Sequence, residues 1–331
     1  MTQPAAFEES QGSEDGLLHA LELDGRGGAR ALGWSDLTPG TGQCWLHMDR
    51  AANRIAAWLR EGSGLDAVVV DALLAEETRP RAASMPGGLL VILRGVNLNP
   101  GADPEDMISL RIWLEKHRLI TLRHRRVMAV QDVRAAIAKG AGPKTPAAAA
   151  TAVIRHLVTR AGVVIDDLDD GVSAAEDRLL TSAAGELRRD LREARRIAIM
   201  LRRYLAPQRD TLSRLTVDHG NVFDPAEVLL LREASDGMVR LVEDLDAARD
   251  RAALLYEELS TRLADTMNRN MYVLSVVAAI FLPLGLLTGM FGINVGGVPW
   301  LNEPLGFLYV SATLVAIGAL QYWLLKKLGV L

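Results

Sequence analysis

The stretch MYVLSVVAAIFLPLGLLTGMFGIN, residues 271–294, carries no charged side chain. Its first 21 residues, Met271 to Phe291, meet the length needed to cross about 30 Å of hydrocarbon as a helix. A second uncharged run of 21 residues, Leu305 to Leu325, follows at once, and Glu303 is the one charge between Met271 and Leu325. Two such runs side by side read as a membrane hairpin, the competing reading being a buried helical pair in a soluble fold. Arg262 and Arg269 precede the first run, Lys326 and Lys327 follow the second, and the connecting residues 292–304 hold no Lys or Arg. The positive-inside rule therefore places both termini in the cytoplasm and the short loop outside.

Working upstream, Asp224 is a candidate N-cap, with Pro225 at the first helical position and Glu227 three residues after the cap. No turn cluster intervenes before the membrane, so one helix is expected from Pro225 to about Phe291, some 100 Å long at about 1.5 Å per residue. Met238, Leu241, Leu245, Ala248, Ala252, Leu255 and Leu259 alternate by three and four, a heptad seam suited to assembling several copies. Gly237 is its one weak point, at about 1 kcal/mol relative to Ala.

Further upstream, Val163 to Leu205 is charged and helical, with Leu187, Leu191, Ala194, Ala198, Leu201 and Leu205 along one face. Pro207 is expected to end it. Between Gly16 and Val130, strand signals sit among helices. Cys44–Met48 and Gly88–Val96 read as strands. Ile108–Leu114 and Arg118–Leu122, joined by Glu115-Lys116-His117, read as a β-hairpin. Helices fit Ala51–Arg60, Leu65–Ala75 and Val127–Ala138, and an alanine-rich helix follows the Gly/Pro-marked 140–146 connector to about Arg160. Residues 1–15 are polar and acidic, with no signal-peptide pattern, and read as a disordered tail.

Composition narrows the function. The chain has 331 residues and a net charge of −4, so nothing global points to nucleic acid. Cys44 is the one cysteine, which excludes an intrachain disulfide and a cysteine-rich zinc site. No Walker motif, Ser/His arrangement or HExxH occurs, so no enzyme is indicated. Two helices cannot enclose an aqueous path, so conduction requires several copies around an axis. The track Asn268, Met271, Ser275, Ala278, Leu282, Gly285 and Gly289 steps by three and four. It reads equally as a pore lining with an apolar constriction at Leu282 or as a helix-packing face. At the outer end, Gly292-Ile293-Asn294 offers bendable backbone and a neutral amide oxygen. A ring of these suits a hydrated divalent cation, the alternative being a Gly-rich turn with Asn as a cap.

The motif Gly292-Ile293-Asn294 resembles the Gly-Met-Asn hallmark of the CorA superfamily of metal-ion transporters. The longer string Gly289 to Pro299 is similar to that of its ZntB-like zinc-transporter branch, which carries Ile in place of Met; Phe281-Leu282-Pro283-Leu284 and the basic tail Lys326-Lys327 are family-like as well. The resemblance implies an α+β membrane protein and a homopentamer in the bacterial inner membrane. Its expected parts are a cytoplasmic α/β domain (16–160), a helical funnel and stalk (161–270), spans at 271–291 and 305–325 joined by a periplasmic loop (292–304), and a basic tail (326–331). It also implies a pore lined by the first span, with Gly292, Ile293 and Asn294 at the entrance, Leu282 and Met271 as constrictions and Asn268 at the cytoplasmic mouth. The implied cargo is zinc or another divalent cation, with no resident cofactor and with partners confined to further copies, lipid and the ion itself. A magnesium, cobalt or nickel channel is the alternative, and a membrane-anchored receptor the alternative from another class.

The residues constrain that cargo. Zinc favours imidazole and thiolate. None of His19, His47, His117, His124, His156 and His219 lies in a span or the outer loop. Zinc would then pass with much of its water. Proton relays use intramembrane Asp, Glu or His, and neither span has one, so any coupling site falls in the cytoplasmic part or at Glu303. Glu303 also reads as an electrostatic attractor for cations or a solvated loop carboxylate. Asp166, Asp167, Asp169 and Asp170 form an acidic cluster that reads either as a regulatory divalent-ion site or as a solvated helix start.

Overall fold

The structure is a computed structural model that describes residues 15–37, 42–76, 78–180, 184–293, 298–300 and 303–328. It divides into two compact units, Met1–Tyr256 and Glu257–Leu331. The 1–15 tail lies outside the described residues except for Asp15, which pairs with Arg54 at 2.7 Å.

The first unit is built on a seven-stranded sheet: β1 (Leu17–Leu23), β2 (Ala29–Ala31), β3 (Cys44–Asp49), β4 (Arg81–Met85), β5 (Gly88–Gly95), β6 (Ile108–Leu114) and β7 (Arg118–Arg123). The order is β2-β1-β3-β7-β6-β5-β4, with β3 and β7 parallel and every other pairing antiparallel. Side chains of a strand alternate between its faces, and here both faces are buried. Trp45, Leu89, Val91, Leu93, Leu110, Ile112 and Leu119 join one core with α3 (Met128–Ala138), α4 (Pro146–Asp177), α5 (Ala184–Leu215) and α6 (Pro225–Phe291). Leu46, Met48, Leu90, Ile92, Trp113, Ile120 and Leu122 join the other, with α1 (Asn53–Glu61) and α2 (Ala67–Leu74).

The strands and helices expected at 44–48, 88–96, 108–122, 51–60, 65–75 and 127–138 are present within a residue or two. β1, β2 and β4 were not anticipated. The expected boundary at 160/161 lies inside α4, a single 32-residue helix. Gly162 does not break it, because a Cβ there would sit 3.5 Å from Leu241, at an inter-helix contact. The acidic cluster therefore falls in the last part of α4 and not at a helix start. Pro207 does not end α5, which runs on to Leu215. Buried Leu205, Leu212 and Leu215 hold the helix on both sides of the proline, and packing outweighs one missing backbone bond.

The heptad seam also differs from expectation. Met238, Leu245, Ala248 and Ala252 are at most 1% exposed within a single chain. α4 and α5 flank this part of α6 through Arg251–Asp169 (2.9 Å), Arg202–Asp246 (2.6 Å) and Arg188 to Tyr256 Oη (2.9 Å). The seam is consumed within the single chain and is not left free for other copies. Gly237 is the point of closest approach: a Cβ there would lie 3.3 Å from Val158.

α6 is one helix of 67 residues, as the capping signal and the absence of breakers predict. Its C-terminal part and α7 (Gly306–Lys327) make up the apolar portion of the second unit.

Candidate functional site

Among the described residues three helices qualify by length and apolarity to cross a membrane: α4, α6 and α7. The apolar windows of α6 and α7 bury nothing within the chain, whereas more than half of the α4 window is buried. α4 packs Val153, Ile154 and Leu157 into the sheet core, which accounts for its apolarity.

In the second unit, Val276, Ile280, Leu284, Leu287 and Phe291 of α6 are half-buried. At about 100° per residue they occupy an arc of about 80°. α7 lies against this arc: a Cβ on Gly318 would be 3.8 Å from Leu284 Cδ1, and Val310, Leu314, Ile317 and Gln321 are half-buried beside it. Trp300 stacks on Phe291 at 6.3 Å and reaches Tyr309 at 6.1 Å. The backbone of Trp300 has φ 62°, and a Cβ on Gly306 would come within 2.6 Å of the Trp300 carbonyl oxygen, so glycine is required there.

The track Asn268, Met271, Ser275, Ala278, Leu282, Gly285 and Gly289 is centred about half a turn from the arc that meets α7. Met271 is 54% and Leu282 71% exposed; Asn268, Ser275, Gly285 and Gly289 are exposed too, and Ala278 is half-buried. A Cβ on Gly285 or Gly289 would meet nothing within 4 Å. The small and polar residues of the first apolar helix thus turn away from the chain's own second helix.

At the end of α6 the Thr288 hydroxyl donates to the Gly285 carbonyl oxygen (3.1 Å), and the Gly292 N–H donates to those of Thr288 (3.0 Å) and Gly289 (3.2 Å). Gly292 therefore closes the helix, and Ile293 beyond it is exposed. Asn294 lies outside the described residues. Glu303 is exposed in a turn, its N–H donating to the Trp300 carbonyl oxygen and its own carbonyl oxygen accepting from Gly306 N–H.

The acidic residues of α4 do not converge. Asp166, Asp167 and Asp170 are exposed, while Asp169 is paired to Arg251, which also reaches Ser173 and Glu176. Among the described residues no three His, Cys, Asp or Glu side chains stand together as a metal site within one chain. At these spacings the four carboxylates fan over about 160° of the helix surface.

A pair of histidines escaped the sequence. His19 of β1 and His47 of β3 are cross-strand partners, their rings 4.8 Å apart and stacked, with the edge of Trp45 5.0 Å from His19. His47 Nδ1 shares a hydrogen bond with Thr121 Oγ1 (2.8 Å), which also accepts from Trp45 Nε1 (2.9 Å). Burial first, and then the charges of Arg134 and Arg123, lower the His19 pKa to about 3. Burial, followed by His19 and the same arginines, holds His47 well below its ordinary value. Strand β1 was the missing signal: without it no pattern joins these positions.

An α/β domain carrying long helices, the last of which continues into a stretch that pairs with a second uncovered apolar helix, defines a membrane-associated class of protein. The family described as CorA-like Mg2+ transporter protein matches residues 40–327, and the chain belongs to that family. It is 38% identical over 324 residues to the divalent cation transporter CmaX of Pseudomonas aeruginosa, covering 96% of this chain and 97% of that one. It is 32% identical over 323 residues to the zinc transport protein ZntB of Pectobacterium carotovorum subsp. carotovorum, covering 97% and 98%. The solved full-length CmaX structure superposes with a TM-score of 0.83 at 37% identity, over 96% of this chain and 99% of that one. The complete CorA magnesium transporter of Methanocaldococcus jannaschii shares the fold at TM-score 0.78 and 16% identity, over 93% and 97%.

Proposed function

We propose that this chain is one subunit of a homopentameric divalent-cation transporter of the bacterial inner membrane, with zinc as its principal cargo. Both termini lie in the cytoplasm, α6 and α7 form the membrane hairpin, and the first span of each subunit lines a central path. The carrying observation is the outward track from Asn268 to Gly289, which presents small and polar side chains on the side of α6 opposite α7. In a lipid-embedded assembly, such a face belongs against other copies or water, since polar groups facing lipid are disfavoured. Leu282 and Met271 form apolar constrictions on that path. Gly292, Ile293 and Asn294 form the entrance, with Glu303 raising the local cation concentration.

Zinc is supported by the ZntB relatives and by the Ile at position 293. With no His or Cys between 271 and 325, the ion keeps much of its water shell and selectivity is modest. A magnesium channel is the second reading, favoured by the family's being one of CorA-like Mg2+ transporters and by a motif built from neutral oxygen donors. The four aspartates of α4 serve as a regulatory cation site only if a neighbouring subunit completes the ligand set.

The test is zinc flux into liposomes containing the purified protein, with magnesium for comparison and with and without a pH gradient. Zinc entry exceeding magnesium entry supports the assignment. Entry that rises with an inward proton gradient shows coupling, and gradient-independent entry shows passive conduction. Oligomeric protein that admits neither ion overturns the transport reading.

A further inference from the structure

The first unit contains a cavity of about 370 Å³, within the size range of small-molecule sites. Arg50, Arg94, Arg111, Arg125 and His124 line it. An adjoining cavity of about 390 Å³ shares Arg94 and Tyr204 and adds Arg79 and Arg203. Three carboxylates stand on the same walls: Glu76, Glu105 and Asp106. Glu105 is buried and already paired with Arg196. Among the described residues six arginines thus stand on these walls with Glu76 and Asp106 as the remaining carboxylates, and Arg50, Arg111 and Arg125 have no carboxylate among them within ion-pair distance.

A structural duty explains part of this cluster. Arg50 donates to the Leu74 carbonyl oxygen (3.1 Å), Arg111 to that of Ala75 (2.6 Å) and Arg94 to that of Thr78 (2.8 Å), so the three pin the chain leaving α2. Each bond takes one of the five N–H donors of a guanidinium and neutralises no charge. Arg111 carries the consequence: it is 1% exposed, its Nε has no partner among the described residues, and burial followed by the charges of Arg50 and Arg94 pushes its pKa down to about 10. A buried cation beside two others is held at a free-energy cost that a bound anion removes.

We propose that the two adjoining cavities bind a soluble compound bearing two or more phosphate groups. Guanidinium groups match phosphate oxygens in bidentate geometry, which lysine does not reproduce. Two basic lobes meeting at Arg94 favour a diphosphate over a single phosphate. Tyr204, on whose ring Arg94 stacks at 4.4 Å, forms a flat wall common to both lobes. The site lies in the sheet-containing unit and does not depend on the transport assignment.

Calorimetric titration of the full-length protein in detergent, with pyrophosphate, orthophosphate and sulfate, tests it. Pyrophosphate is expected to bind once per chain and at least tenfold more tightly than orthophosphate or sulfate. Arg125→Ala and Arg203→Ala, both at exposed positions where folding is not at stake, are each expected to weaken it at least fivefold. No binding at millimolar pyrophosphate overturns the proposal. So does binding that both variants leave unchanged, or equal affinity for the three anions.

Discussion

Asp224 and Glu227 cap one another: the Asp224 N–H donates to Glu227 Oε2 and the Glu227 N–H to Asp224 Oδ1, each at 2.8 Å. The other Glu227 oxygen accepts from the Thr145 hydroxyl, whose Oγ1 in turn caps α4 by accepting from the Ala148 N–H. One buried carboxylate thereby ties together the starts of two long helices. Glu227→Ala is expected to destabilise the protein by about 1–2 kcal/mol, the range of a lost cap and its buried partners. Glu227→Gln, which retains the box, is expected to lose less than half as much. Urea unfolding of both variants checks this.

Gly285 turns away from α7, and a Cβ added there meets nothing within 4 Å among the described residues. Gly285→Leu should therefore leave helix content and thermal unfolding of the single chain unchanged. It should cut metal flux at least tenfold, by crowding the axis or by preventing assembly. Size-exclusion chromatography separates those two causes. Full flux with intact assembly would remove the track from the ion path.

Asn294→Ala is expected to impair zinc uptake strongly, by at least about tenfold, while the oligomer forms normally, because an amide oxygen that orients hydrated cations contributes nothing to helix packing. Unchanged uptake in liposomes would sink its role at the entrance.

His19 and His47 make stability sensitive to acid. An unfolded histidine takes up its proton near pH 6.5, whereas folded His19 does so only at about 3. Between those values the unfolded chain binds more protons, so stability present above pH 6.5 is lost progressively as the pH falls. The slope for each ring reaches at most about 1.4 kcal/mol per pH unit. Thermal unfolding from pH 7 to 5 should show a falling midpoint. His19→Phe, which keeps a ring against Trp45, should flatten that fall. An identical slope in the variant would assign the acid sensitivity to other groups.

Much of the fold was legible because its signals are local. The apolar run Gly88–Val96 and the alternation of Ile108–Leu114 followed by Arg118–Leu122 announce strands, and the Asp224-Pro225-Glu227 start announces a helix with nothing to stop it. β1, β2 and β4 were missed for a matching reason. β2 is three residues long, and β4 is mostly half-exposed with an Arg, two Ala and a Ser in five positions. Pro207 and the 160/161 boundary misled because each is a local signal overridden by packing. The outward track of α6 was visible as a spacing, but not which way it faced.

The sequence by itself determined that this chain carries two apolar helices, which ends are basic, and which residues share each stripe, since charge and periodicity are properties of order along a chain. Tertiary structure alone decided which stripe is spent internally. It buried the heptad seam of α6 against α4 and α5, turned the Asn268–Gly289 track away from α7, stacked His19 on His47, and gathered arginines 61 positions apart, Arg50 and Arg111, around one cavity. These outcomes depend on competition among faces for burial, and no face announces in sequence which partner it will win.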